Sequence, residues 1–123
     1  MTTVVVADDD QDIRSLVSIA VRKAGLDLVA SVSDGALALE AILKHRPDLA
    51  ILDVSMPEMT GLEVCRAVRG DTSIGDVRIL LLSASVDEAS QAIGIEAGAD
   101  YFLAKPFSPR ELASWLSVGK EPR

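Results

Sequence analysis

The sequence predicts an α/β domain: a doubly wound, five-stranded parallel sheet with five helices packed over its two faces. Three observations predict it. Short β-branched or leucine-rich runs alternate with helix-period patterns five times, joined by short connections. Hydrophobic residues make up 49% of the 123 residues but aromatics only 3%, so the core must come from Val, Ile, Leu and Ala, a composition suited to strands buried on both faces. Start and stop signals for helices also fall between the runs, and the length suits one core.

The elements follow in order. Val4-Val5-Val6-Ala7 is the first strand, by its β-branched run. From Gln11 to Ala24, Ile13, Leu16, Val17, Ala20 and Val21 recur at helical spacing, and Gly25 ends that helix. Leu28 to Val32 is the second strand. Ala36 to His45 is the second helix, stopped by Pro47, with Leu37, Leu39, Ala41, Ile42 and Leu43 as its apolar residues. Leu49 to Leu52 is the third strand. Thr60-Gly61-Leu62-Glu63 has capping-box spacing and opens a helix to about Arg69. Ile79 to Leu82 is the fourth strand. Ser85-Val86-Asp87-Glu88 repeats the capping pattern and predicts a cap at Ser85, before a helix ending at Gly98. Tyr101 to Leu103 is the fifth strand. Ser108-Pro109-Arg110-Glu111 is a third capping box, with proline at the favoured first helical position, and the last helix runs to about Val118. Residues 1–118 thus form one domain, and residues 119–123 a polar tail or the start of a linker.

Charge and cysteine content narrow the function. A formal net charge of −7 argues against a direct nucleic-acid surface and against an anionic membrane surface. Cys65, the single cysteine, cannot form an internal disulfide, which suits a reducing compartment. Met1-Thr2-Thr3 has no basic region and no long apolar run, and no stretch is long enough to span a bilayer, so a soluble cytoplasmic protein without a signal peptide is expected.

In a parallel α/β sheet, ligands bind beyond the carboxyl ends of the strands. There the sequence places Asp8, Asp9 and Asp10 after the first strand, Asp53 after the third, Ser83 after the fourth and Lys105 after the fifth. Carboxylates brought together repel, and a hard divalent cation with oxygen ligands relieves the repulsion. Magnesium is the natural candidate, because it accepts few carboxylates and also holds phosphate oxygens. Lys105 adds a positive point charge and Ser83 a hydroxyl donor. Together these parts suit phosphoryl transfer, with Asp53 as the candidate nucleophile. Each residue also has a plainer reading. Asp8 to Asp10 can be a solvated loop that caps the first helix, Asp53 a turn residue, Ser83 an ordinary polar residue and Lys105 a surface lysine. Their coincidence at four strand ends favours the chemical reading.

The stretches Val6-Ala7-Asp8-Asp9-Asp10, Leu52-Asp53-Val54-Ser55-Met56-Pro57-Glu58-Met59-Thr60-Gly61 and Leu103-Ala104-Lys105-Pro106-Phe107 resemble receiver domains of two-component response regulators. The likeness covers nearly the whole chain. It implies a flavodoxin-like fold with strand order 2-1-3-4-5. It also implies phosphorylation of Asp53 by a sensor histidine kinase or a histidine phosphotransfer protein. Asp8, Asp9, Asp53 and the backbone carbonyl of Ser55 would hold Mg2+, with Mn2+ as a possible substitute; Asp9 and Asp53 would be direct ligands and Asp8 would act through water. Lys105 matches the family lysine, and its bond to Pro106 is commonly cis. Ser83 and Phe102 match the hydroxyl and aromatic switch positions. The output would be a further domain or a separate protein, and the family's common dimer surface is the face of the fourth and fifth helices. Ser83 stands where threonine is also common, and Phe102 where tyrosine is frequent, so neither the methyl nor the ring hydroxyl is available here. Ser55 and Ser85 sit where the family tunes dephosphorylation.

Other readings are weaker. A phosphatase of the haloacid dehalogenase type would place a second carboxylate two residues after its nucleophile, where Ser55 stands, and would carry the nucleophile on its first strand. A non-phosphorylated pseudo-receiver would lack part of the acidic pair, acceptor and lysine, all of which are present. A flavodoxin-like cofactor carrier would need a Ser, Thr and Gly phosphate loop in place of Asp8 to Asp10. His45 beside Arg46 suits a helix C-terminus, Cys65 reads as packing, and Trp115 and Leu116 read as core.

Overall fold

Strands and helices alternate through the computed structural model, which describes residues 2–74, 76–84 and 87–119. The order is β1 (Thr3–Ala7), α1 (Gln11–Lys23), β2 (Asp27–Val32), α2 (Gly35–His45), β3 (Leu49–Asp53), α3 (Gly61–Gly70), β4 (Arg78–Ser83), α4 (Glu88–Ala97), β5 (Tyr101–Ala104) and α5 (Pro109–Gly119). All strand pairings are parallel, in the order β2-β1-β3-β4-β5. β1 and β3 therefore sit side by side, and β3 is buried along its whole length.

Because side chains alternate across a strand, each strand feeds two cores. Val5, Ala7, Ala50, Leu52, Ile79 and Leu81 pack with Ala38 and Ile42 of α2, Val64, Cys65 and Val68 of α3, and Ala97 of α4. Val4, Val6, Leu49, Ile51, Leu80 and Leu82 pack with Val17 and Val21 of α1 and Leu112 and Leu116 of α5. Double coverage explains why β1, β3 and β4 read as continuous apolar runs. Edge strand β2 is only half-buried, and an extra residue at Val29 shifts its register against β1.

Most helix starts are capped as the sequence predicts. Thr60 and Glu63 form a reciprocal capping box on α3, with Thr60 N donating to Glu63 Oε1 at 3.0 Å and Glu63 N to Thr60 Oγ1 at 3.1 Å. Ser108 and Glu111 do the same on α5 at 3.2 and 3.1 Å. The start of α4 is a correction. Ser85 and Val86 lie outside the described residues, and the cap is Asp87, whose carboxylate accepts from Ser90 N at 2.8 Å. Asp caps as well as Ser, so two candidates two positions apart could not be separated by pattern alone.

Helix ends also follow local chemistry. α2 closes with Arg46 in the left-handed region and basic residues Lys44 and His45 in its last turn, just before buried Pro47. α4 closes at Gly98, whose φ of 108° suits glycine. There Arg69 of α3 donates from Nε to Gly98 O at 2.9 Å, from one terminal nitrogen to Val77 O at 2.7 Å, and from the other to Asp100 Oδ2 at 2.8 Å. Leu116 is fully buried, and half-buried Trp115 meets Tyr101 edge-on at 4.8 Å, so both belong to the α1/α5 core. Among the described residues no helix is long and apolar enough to cross a membrane.

Candidate functional site

β1, β3 and β4 run parallel as neighbours, so their carboxyl ends lie at one edge of the sheet, and β5 adds the segment that follows it. Asp8 follows β1, Asp53 ends β3, Ser83 ends β4, and Lys105 follows β5. Register aligns Asp53 with Leu82 and Ser83 with Ala104. Backbone bonds tie the loops beyond: Val54 N donates to Leu82 O at 3.0 Å and Lys105 N to Ser83 O at 2.8 Å. The Lys105–Pro106 peptide bond is cis.

At this edge Lys105 Nζ lies 3.0 Å from Asp53 Oδ1 and 3.1 Å from Asp8 Oδ2. Asp8 is fully buried, Asp53 is 4% exposed, and Asp9 is exposed. The carboxylates of Asp8, Asp9 and Asp53 each offer an oxygen within 4.8 Å of the others. Asp8 Oδ1 accepts from Asp10 N at 2.9 Å, whereas its buried Oδ2 has the charge of Lys105 nearby but no aligned hydrogen bond. Burial pushes the Asp53 carboxyl above the usual range; the hydrogen bond from Lys105 pulls it back, and the charges of Asp8 and Asp9 push it up again. For Lys105, burial alone would lower the pKa, but its close pairing with the Asp53 and Asp8 carboxylates outweighs that and holds the ammonium charged.

An open cleft of about 430 Å³ lies over these groups, lined by Asp9, Asp10, Asp53, Val54, Ser55, Ser83, Ala84 and Lys105. A smaller cleft of about 180 Å³ adjoins it, lined by Val54, Leu62, Leu81, Ser83, Ser90, Ile93 and Phe102. Val54 and Ser83 line both. Each predicted side chain is therefore at the carboxyl edge of the sheet, with Phe102 one cleft removed and joined to the rest through Ser83.

The structure separates the three acids that sequence alone leaves together. Asp8 is the buried partner of Lys105, and Asp9 is the exposed member of the carboxylate group. Asp10 caps α1, accepting from Asp12 N at 2.9 Å and Ile13 N at 3.3 Å. Two supports have no plain signal in the sequence. Arg14 donates to Asp8 O at 2.8 Å and steadies the β1 loop. At Gly61 a Cβ would overlap the carbonyl oxygen of Asp53, so its absence lets α3 start directly against the end of β3, with Gly61 N donating to Val54 O at 2.9 Å. Capping-box spacing marks Gly61 as a helix start but cannot show the approaching strand.

The donor set fits a hard divalent cation. Three carboxylate oxygens, one each from Asp8, Asp9 and Asp53, converge, and Asp8 also has an oxygen, Oδ2, that is buried without an aligned hydrogen-bond donor.

The family described as "Response regulator receiver domain" matches residues 4–117. Among relatives, the transcriptional regulatory protein GltR of Pseudomonas aeruginosa is 44% identical over 116 residues, covering 94% of this chain and 48% of that protein. The DNA-binding response regulator MtrA of Mycobacterium tuberculosis is 40% identical over 111 residues, covering 90% of this chain and 47% of that protein. The chain thus spans about half the length of the curated relatives it matches. Among solved structures, the chemotaxis response regulator CheY4 of Vibrio cholerae superposes with a TM-score of 0.89 at 35% identity, covering 97% of this chain and 98% of that one.

Proposed function

This chain belongs to the response regulator receiver domain family, and from that membership we propose that Asp53 accepts a phosphoryl group in a magnesium-dependent reaction and that the change is passed through Ser83 to Phe102. The observation that carries the reading is the single lysine shared by two buried carboxylates beside an open cleft.

The donor is a sensor histidine kinase or a histidine phosphotransfer protein. Asp53 Oδ1 is paired with Lys105, so the second carboxylate oxygen is the one that attacks phosphorus. A new P–O bond forms, the P–N bond of the donor breaks, and the leaving imidazole nitrogen keeps the electron pair and takes a proton. Asp8, Asp9, Asp53 and the Ser55 backbone carbonyl would hold Mg2+, or Mn2+ in its place. When bound, such an ion neutralises charge on the transferring phosphoryl oxygens. Lys105 supplies a fixed charge at the same oxygens, and Ser83 a hydroxyl donor. Burial keeps Asp53 poorly solvated and raises its basicity, which suits a nucleophile, while the added phosphoryl charge is what Lys105 and a bound cation would offset.

Residues 1–118 act as the receiver unit, with 119–123 as a tail or linker start. The unit is a cytoplasmic phosphoacceptor that assists its own transfer and dephosphorylation. It controls an output domain or a separate partner, without touching nucleic acid or membrane itself. A homodimer would use the α4 to α5 face, the family's common dimer surface.

Intact mass after incubation with acetyl phosphate tests the reading. A gain of one phosphoryl group that needs magnesium and is absent in Asp53→Asn supports it. A gain that persists in Asp53→Asn refutes the acceptor assignment. No gain in the wild type leaves two choices: a receiver that accepts only from its protein donor, or a pseudo-receiver, a binding module of the same fold.

A further inference from the structure

Gly94 lies in the interior of α4 and is buried. On helix propensity alone alanine would serve better there, because glycine has more backbone freedom to lose. The packing explains the choice. A Cβ on Gly94 would overlap Cε1 and Cζ of Phe102, and would touch Cδ1 of Leu81 at 3.4 Å. The overlapped atoms are the tip of a side chain and not backbone, so the ring is the group that would yield.

The ring has somewhere to go. It borders the cleft of about 180 Å³ whose other walls include Val54, Leu62, Ser83 and Ile93. Ser83 and Val54 also face the carboxylate cleft. We propose that Gly94 is a positioning residue that sets the resting place of Phe102: its missing side chain is the seat of the ring, and filling that seat drives the ring into the neighbouring cleft without phosphorylation. The assignment rests on the reading that Phe102 responds to modification of Asp53.

Fluorine NMR of protein labelled with 4-fluorophenylalanine tests it directly. The chain has two phenylalanines, so Phe107, which is buried in the α1/α5 core, serves as internal reference. Spectra are recorded for wild type with and without magnesium and beryllofluoride, a stable phosphoryl mimic, and for Gly94→Ala without them. In Gly94→Ala the Phe102 resonance is expected to move at least half of the way toward its position in the beryllofluoride-treated wild type, while Phe107 stays in place. A wild-type Phe102 resonance that moves with beryllofluoride, while that of Gly94→Ala stays at the resting position, overturns the role of Gly94 alone. A wild-type resonance that does not move overturns the switch reading and this proposal with it. If Gly94→Ala fails to fold, adding Phe102→Leu removes both overlapped ring atoms and is expected to restore folding; a double variant that still fails overturns the proposal.

Discussion

Replacing Lys105 with methionine keeps the length of the side chain but removes the ammonium that Asp53 and Asp8 share at 3.0 and 3.1 Å. Both carboxylates are buried, so neither can recover its lost partner from bulk water. Breaking a buried ion pair from one side costs about 3–5 kcal/mol. Two features reduce that figure here. The Lys105 side chain is 22% exposed, so part of its charge is already screened. Asp53 can also escape by taking up a proton, at about 1.4 kcal/mol per unit that its pKa lies below the working pH. A loss of about 2–3 kcal/mol at neutral pH remains, equivalent to about 8–12 °C in Tm for a chain of this length.

Thermal melts of wild type and Lys105→Met, without magnesium and across pH, measure it. Losing the lysine raises the Asp53 pKa further, because its hydrogen bond is what pulls that pKa down. A carboxyl raised in the folded state binds more protons folded than unfolded, so its destabilising effect grows as pH rises through the folded pKa. The deficit of Lys105→Met is therefore largest at neutral pH and narrows as pH falls through the raised Asp53 values. Magnesium supplies a replacement positive charge and is expected to recover part of the lost Tm. A variant melting within about 2 °C of wild type at neutral pH without magnesium would refute the claim that Lys105 holds two buried charges.

Two further perturbations probe the scaffold. Arg69→Ala strips three acceptors at the ends of α3 and α4, namely Gly98 O, Val77 O and Asp100 Oδ2. Its expected cost is about 2 kcal/mol, discounted for partial exposure, and Arg69→Lys should recover less than half, because one ammonium cannot reach three acceptors in fork geometry; equal melting of all three proteins would contradict this. Cys65 is fully buried and its thiol is pushed up to about 11, mainly by burial. It should therefore react with a disulfide reagent at mildly alkaline pH only as fast as the chain opens, and at once in denaturing urea; rapid native labelling would show that α3 does not seal it.

Interactions between near neighbours in the chain are legible in the residues themselves. Each strand is recognisable from its apolar run, and the capping boxes at Thr60 and Ser108 are recognisable because both partners lie within one helical turn. The residue types at the strand ends, with the resemblance they carry, point to Asp8, Asp9, Asp53, Ser83 and Lys105 as one group. The strand order comes from that resemblance, since alternation alone fixes neighbours in sequence and not neighbours in the sheet.

Tertiary structure decides whatever depends on segments meeting across the sheet. Asp8, Asp9 and Asp10 are chemically identical, and only the packing of β1 and α1 makes one a buried ion partner, one an exposed carboxylate and one a helix cap. Arg69 looks like any basic residue at a helix end until Gly98, Val77 and Asp100 close around it. Gly94 carries no signal except a poor helix propensity, because its role is to be absent where the Phe102 ring sits. Hydrophobic period and capping are set by the residue and its near neighbours, whereas burial, shared charge and steric exclusion are set by chain segments tens of residues apart, and the sequence by itself holds no measure of those distances.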